Sequence, residues 1–262
     1  MRAKRYLTQV AVATTVAAGL ALALQGVVLA AAVAYSPGSL GNDISYPNCG
    51  GPFPTGSDFG IVGVTGGRAF TQNICLSAEY GWATALKPTS PLTNPGAALY
   101  MNLNAPVGST ARYGLTGPYG KCSHKDKACI ASNYGFNAAS AAYNYAADEG
   151  AASSSWWLDI ETSNSWSSNT SLNQDTISGA VHFFATNSVV IGFYSTRSQW
   201  TSITGQHGSW SPNKTSYPIW QAGASSESNA KTICASSTAG FAGTLPELVQ
   251  YVYDNFDTDY AC

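Results

Sequence analysis

The chain has 262 residues, of which only 10% are charged and 12% are aromatic, with twelve Lys or Arg against fourteen Asp or Glu. Three of the basic residues, Arg2, Lys4 and Arg5, precede residue 35 and no acidic one does, so residues 35–262 carry nine cations against fourteen anions, a net charge near −5. That balance leaves no basic face for nucleic acid, and the abundance of Trp and Tyr is not the composition of a disordered chain.

Arg2, Lys4 and Arg5 are followed by an apolar run from Val10 to Ala34 without an acidic residue, the pattern of an export signal over residues 1–34. Ala32 and Ala34 form an A-x-A site that predicts cleavage before Tyr35; Ala30 and Ala32 allow a cut two residues earlier. An uncleaved membrane anchor is the alternative, because the run, broken by Gln25, approaches the length of a spanning helix. Residues 35–262 are expected to form one domain, secreted or wall-associated, monomeric and off the membrane once the signal is removed. All six cysteines lie there, and an even number in an exported chain points to disulfides, with no spacing that suits zinc. Of the fifteen formal connectivities, position favours one. Cys122 and Cys129 bracket a short polar loop, Cys234 with Cys262 ties down the last residue, and Cys49 with Cys75 joins the loops after the first two strands.

Strand-length apolar runs alternate with helical segments, which predicts an α/β chain with a largely parallel sheet. In order, Asn42 to Ser45 is a short strand, Phe59 to Val64 a second that leaves through Gly66 and Gly67, Leu76 to Leu86 a helix stopped by Pro88, and Ala97 to Leu103 a third strand. Between Asn133 and Gly150, Phe136, Ala139, Tyr143 and Ala147 recur at helical spacing in an alanine-rich stretch. Trp156 to Glu161 is a fourth strand, Leu172 to Thr186 a helix, Val189 to Tyr194 a fifth strand, and Tyr217 to Trp220 and Leu248 to Tyr253 are later strands. The Ser-rich stretches at 163–171 and 224–228 are expected as surface loops.

The segment WWLDIET puts Asp159 and Glu161 two apart on a strand, so both side chains face one side about 6 to 7 Å apart along the backbone, while Leu158 and Ile160 face the other. At the carboxyl ends of barrel strands, two such acids are desolvated neighbours. Like charges at that range push one proton affinity up, so one group stays protonated while the other ionises, the division of labour that glycoside hydrolysis uses. An acidic pair at a strand end also serves to cap a helix or hold a loop. Trp156, Trp157 and Trp166 beside it are candidates for stacking on sugar rings, or for core packing.

The order of segments resembles the family 25 glycoside hydrolases, the lysozymes of the Chalaropsis type. It runs through NDIS with Asp43, LDIE with Asp159 and Glu161, IGFYST followed by Gln199 and Trp200, YPIWQAG, and a closing strand LVQYVYDNFDTDY. These motifs span Gly41 to Tyr260. The resemblance implies a TIM-like irregular β/α barrel and cleavage of peptidoglycan between N-acetylmuramic acid and N-acetylglucosamine. It implies Glu161 as general acid, Asp159 as the partner that stabilises positive charge or orients the substrate amide, and Asp43 as a third acid. Asp257 or Asp259 would complete the acidic floor, with Asp257 preferred. Trp157, Tyr194, Trp220 and Gln250 from the same segments are candidate substrate contacts. The chain departs from the family at its second strand, where GVTGGRAF stands in place of a lysine, alanine, threonine, glutamate, glycine signature, so substrate contacts there differ. It also resembles a looser group of exported actinobacterial hydrolase-like proteins.

Other chemistries find less support. Ser195 ends a strand without a G-x-S-x-G elbow, and His124, His182 and His207 sit in no triad context. Gly66 and Gly67 lack a phosphate-loop pattern, so neither nucleotide, cofactor nor metal is expected. Three functions remain: a glycosidase acting on cell-wall glycan, a catalytically silent glycan-binding barrel, and a chitinase-like enzyme, disfavoured because no further aspartates precede Asp159.

Overall fold

A computed structural model describes residues 35–87, 96–205 and 208–262. The expected signal segment, its cleavage site, Pro88 and His207 involve residues outside that set. Eight strands close into one barrel: β1 (Leu40–Ile44), β2 (Phe59–Gly63), β3 (Ala98–Asn102), β6 (Ser155–Asp159), β7 (Val190–Ser195), β8 (Ile219–Ala224), β9 (Pro246–Tyr253) and β10 (Phe256–Ala261). The remaining pair, β4 (Thr116–Gly117) and β5 (Gly120–Lys121), makes a small separate hairpin. Helices α1 (Leu76–Ala85), α2 (Lys127–Asp148), α3 (Thr170–Thr186), α4 (Arg197–Thr204) and α5 (Glu227–Ala235) complete an irregular TIM-like β/α barrel.

Around the barrel the order is β1-β10-β9-β8-β7-β6-β3-β2. Neighbours pair parallel except β10, which runs antiparallel to both β1 and β9. The expected closing strand LVQYVYDNFDTDY is therefore a hairpin. Asp254 and Asn255 take φ of 51° and 64° at its tip, a two-residue turn that short polar side chains tolerate in the left-handed region. Helix α2 begins six residues before the expected Asn133, because Asp126 caps it by accepting from the Cys129 N–H at 3.1 Å. Two short helices carry too few apolar residues to announce them. Thr196 caps α4, and Ser226, within a stretch expected as loop, caps α5.

Strand alternation sorts the core into two layers. Trp156, Leu158 and Ile160 face outward into the shell under the helices, with Phe184, Phe193 and Trp200. Inside the barrel, Tyr35, Phe59, Ile61, Trp157, Trp220 and Leu248 fill the interior. The three expected disulfides are present: Cys49–Cys75, Cys122–Cys129 and Cys234–Cys262. Among the described residues, no helix is long and apolar enough to cross a membrane.

The closest helix contact is made by glycine. A Cβ at Gly135 of α2 would lie 1.8 Å from the Thr176 carbonyl oxygen, and one at Gly179 of α3 would lie 2.1 Å from that of Ser132. Both obstacles are backbone, so neither yields by a rotamer change. Gly135→Ala and Gly179→Ala are each expected to destabilise the fold by roughly 1–3 kcal/mol or more through overpacking, read as a lower urea midpoint. An unchanged midpoint in both would contradict this crossing.

Candidate active site

The carboxyl ends of the barrel strands open into a cleft of about 500 Å³. Asp159 is the last residue of β6 and points inward; Glu161 follows just past the strand end. The Ile160 N–H still donates to the Tyr194 carbonyl at 2.9 Å, so the alternation continues and both carboxyls face the cleft while Ile160 enters the outer core. Glu161 is held from several sides. Trp166 Nε1 donates to its carbonyl at 2.7 Å. Gln199, at the start of α4, accepts from the Thr162 N–H through Oε1 at 2.5 Å and hydrogen-bonds the Glu161 carboxyl.

Asp159 Oδ2 accepts from Asn102 Nδ2, and Asn102 is fixed in turn by Thr65 Oγ1 donating to its Oδ1 at 2.6 Å. Asp159 Oδ1 is buried and finds no conventional donor among the described residues. Beside it the Glu161 carboxyl stands within hydrogen-bonding reach of Asp159. Two carboxylates repel, so this contact is a hydrogen bond only when one of them carries a proton. Burial pushes both carboxyls up from their ordinary range, and for Asp159 the Glu161 charge adds to it. Asp159 is the more deeply enclosed of the two.

Across the barrel, Asp43 of β1 stands opposite Asp257 of β10. Gln250 Nε2 donates to Asp43 Oδ2 at 2.7 Å, and Tyr194 OH donates to Gln250 Oε1 at 2.8 Å. Asp259 lies one inward step below Asp257, fully buried, accepting from Trp220 Nε1 at 2.7 Å through Oδ1 while Oδ2 has no partner among the described residues. Burial raises Asp43, Asp257 and Asp259, and for Asp43 the charges of Asp259 and Asp257 add to it.

The fold thus brings Asp43, Asp159, Glu161, Asp257, Tyr194, Trp220 and Gln250 to one cleft. It does not bring Trp157 there. That ring is 0% exposed and packs 5.8 Å from Trp220 beneath the acids, because an inward residue one step nearer the strand start sits in the barrel interior. Trp156 faces the helices, 5.1 Å from Phe184, so neither forms a sugar-stacking wall. Trp220 itself is 1% exposed and forms the floor. The aromatic edge open to solvent is Tyr46, just after β1. Asn102, Tyr100 and Arg68 are lining residues beyond those expected; Asn102 ends β3 and Arg68 follows β2, so the same strand-end logic that marks Asp159 would find them. Ser195 is buried and donates to the Ile160 carbonyl at 2.7 Å, a structural bond. His182 is exposed on α3 against Tyr119. Among the described residues, no group of three His, Cys, Asp or Glu is arranged to hold a metal.

Asp259 gives a sign-specific test. A carboxyl raised by burial contributes stability that is fully present below its unfolded value, near pH 4, and is lost as pH rises through its folded value. Asp259→Asn removes that loss. The variant is expected to match wild type near pH 4 and to exceed it at pH 7 by on the order of 1 kcal/mol or more, measured by denaturant unfolding at both pH values. A variant less stable than wild type at pH 7 would contradict it.

A family model described as Lysozyme-like protein 1 matches residues 127–237. Comparison with curated proteins gives no match. Among solved structures, the modular Cpl-1 endolysin complexed with a peptidoglycan analogue aligns with a TM-score of 0.49 at 14% identity, covering 87% of this chain and 55% of that one. The chain therefore spans about half the length of that protein. The stretch that carries Asp159, Glu161, Gln199 and Trp220, set on an irregular TIM-like barrel, is lysozyme-like in sequence.

Proposed function

We propose that this chain is an exported glycoside hydrolase that cleaves cell-wall glycan. The observation that carries the proposal is the Asp159–Glu161 contact, a carboxyl pair that needs one proton, at the base of a water-accessible cleft with Asp43 and Asp257 opposite. The lysozyme-like match over residues 127–237 supports it. Export is supported by the expected signal at residues 1–34 and by the three disulfides, which persist in oxidising compartments.

In the mechanism, Glu161, the member nearer solvent, delivers the shared proton to the leaving glycosidic oxygen as its bond to the sugar carbon breaks, and water adds to that carbon to complete hydrolysis. Asp159 is then anionic as positive charge grows on the sugar, which that anion stabilises. Turnover requires one proton on the pair, so it falls as pH rises past the pair's upper apparent value. Glu161→Gln is expected to lower reducing-end release from purified peptidoglycan by roughly 10²- to 10⁴-fold. Equal rates would end the assignment, and binding of wall fragments with no turnover by wild type would favour the silent-barrel alternative that the altered second strand motivates.

Arg68 favours a carboxylate-bearing glycan over neutral chitin. It lines the acidic cleft, is exposed, and makes no ion pair with any described residue. A guanidinium so placed suits the lactyl or peptide carboxylates of peptidoglycan. Arg68→Ala is expected to raise KM on peptidoglycan several-fold and to leave any turnover of chitin oligomers unchanged; an equal effect on both would remove this selectivity role.

A further inference from the structure

A regular β/α barrel covers its outside with a helix after each strand. Two connections here break that rule. The link from β1 to β2 holds only a three-residue 3-10 turn at Tyr46–Asn48, and β9 turns straight back into β10. The outer faces of β1 and β10 therefore receive no helix from these connections. Two of their outward side chains are polar and are satisfied locally: Asn42 Nδ2 donates to Thr258 Oγ1 at 3.1 Å, and Ser57 Oγ donates to Asn42 Oδ1 at 2.6 Å.

Over this bare wall runs a groove of about 720 Å³, larger than the catalytic cleft. The loop through Phe53 and Thr55 bounds one side, the serines at the start of α5 bound the other, and Tyr253 and Phe256 stand at the hairpin end. Because strand side chains alternate, β10 sends Asp257 into the cleft and Phe256 and Thr258 into the groove. The two hollows thus share β10 as a wall, and both reach its catalytic end beside the β9–β10 turn.

The chemistry of the groove is that of a sugar surface. No Lys or Arg lines it, and Glu227 is paired with Lys231 at 2.6 Å. The Tyr253 ring is 69% exposed beside the hydroxyls of Ser225, Ser226 and Ser228. Tyr251 is 5% exposed and lines the floor of the groove. Exposed aromatic faces with neutral hydroxyls bind the apolar faces and rim hydroxyls of pyranose rings.

We propose that this groove is a second carbohydrate site, taking uncharged sugar units of the same polysaccharide strand whose other units occupy the cleft. It rests on the reading of the cleft as a glycan site. The hairpin turn is the crossing point between the two, and the second site raises avidity for long polymer without touching the reacting bond.

The test uses full-length protein carrying Glu161→Gln, so that binding is measured without turnover. Adding Tyr253→Ala, at an exposed position, or Tyr251→Phe, which removes only the hydroxyl, is expected to weaken sedimentation with insoluble peptidoglycan roughly three- to tenfold, the range of an aromatic contact. Binding of a soluble disaccharide–peptide fragment, short enough for the cleft alone, should not change, nor should the unfolding midpoint. Unchanged polymer binding in both variants overturns the second site, as does equal weakening for polymer and short fragment. Absence of turnover in the protein without Glu161→Gln would instead overturn the hydrolase reading and leave the binding comparison standing.

Discussion

Crowding acids into a low-dielectric barrel mouth is the constraint around which the rest of the molecule is arranged. Asp43, Asp159 and Asp259 are buried, Glu161 is half-buried beside them, and Asp257 stands at the exposed rim. No described cation neutralises them from within; Arg68 reaches the cleft only at its exposed edge. Ionised together they would oppose folding, since each buried charge without a partner is disfavoured by several kcal/mol. The solution is to hold protons. Asp159 and Glu161 lie within hydrogen-bonding reach of each other, and that contact turns from repulsion to a hydrogen bond on gaining one proton. A group that folds only by keeping a proton is also a group ready to give it away, which joins stability to chemistry at the same two residues.

The surroundings hold both carboxyls in place. Asn102 and Gln199 approach the pair from opposite sides, each held by a further bond from Thr65 or Thr162. Beneath, Trp157 and Trp220 close the barrel to water, so the acids meet solvent only upward. The Tyr194–Gln250–Asp43 chain ties β7, β9 and β1 together across the mouth. Such doubly held side chains are what preorganised sites require, because a carboxyl free to turn toward water would lose its raised proton affinity.

Much of this was legible in the sequence. Alternation in WWLDIET put both acids on one face, and the parallel α/β pattern put that face at a strand end; the disulfide pairing followed from position along the chain. The illegible parts have physical causes. Periodicity tells inward from outward but not depth along the barrel axis, so Trp157 was indistinguishable from a cleft residue although it packs one step below it. The turn at Asp254 and Asn255 was hidden inside what reads as one strand, because Tyr253 and Phe256 on either side keep the apolar pattern going. Helices α4 and α5 depend on capping by Thr196 and Ser226 more than on an apolar stripe, and serine caps look like loop. The bare outer wall of β1 and β10 is a consequence of that same hidden hairpin.

The central claim is that Asp159 and Glu161 share a proton at neutral pH. Carboxyl-carbon NMR titration of the protein, with the pair assigned from Asp159→Asn and Glu161→Gln, measures it directly. The account predicts that one of the two carboxyls keeps its proton well above pH 4, the ordinary range for such groups, and that the other's titration changes when its partner is replaced. Two independent titrations, both complete near pH 4 and indifferent to the partner's substitution, would contradict it.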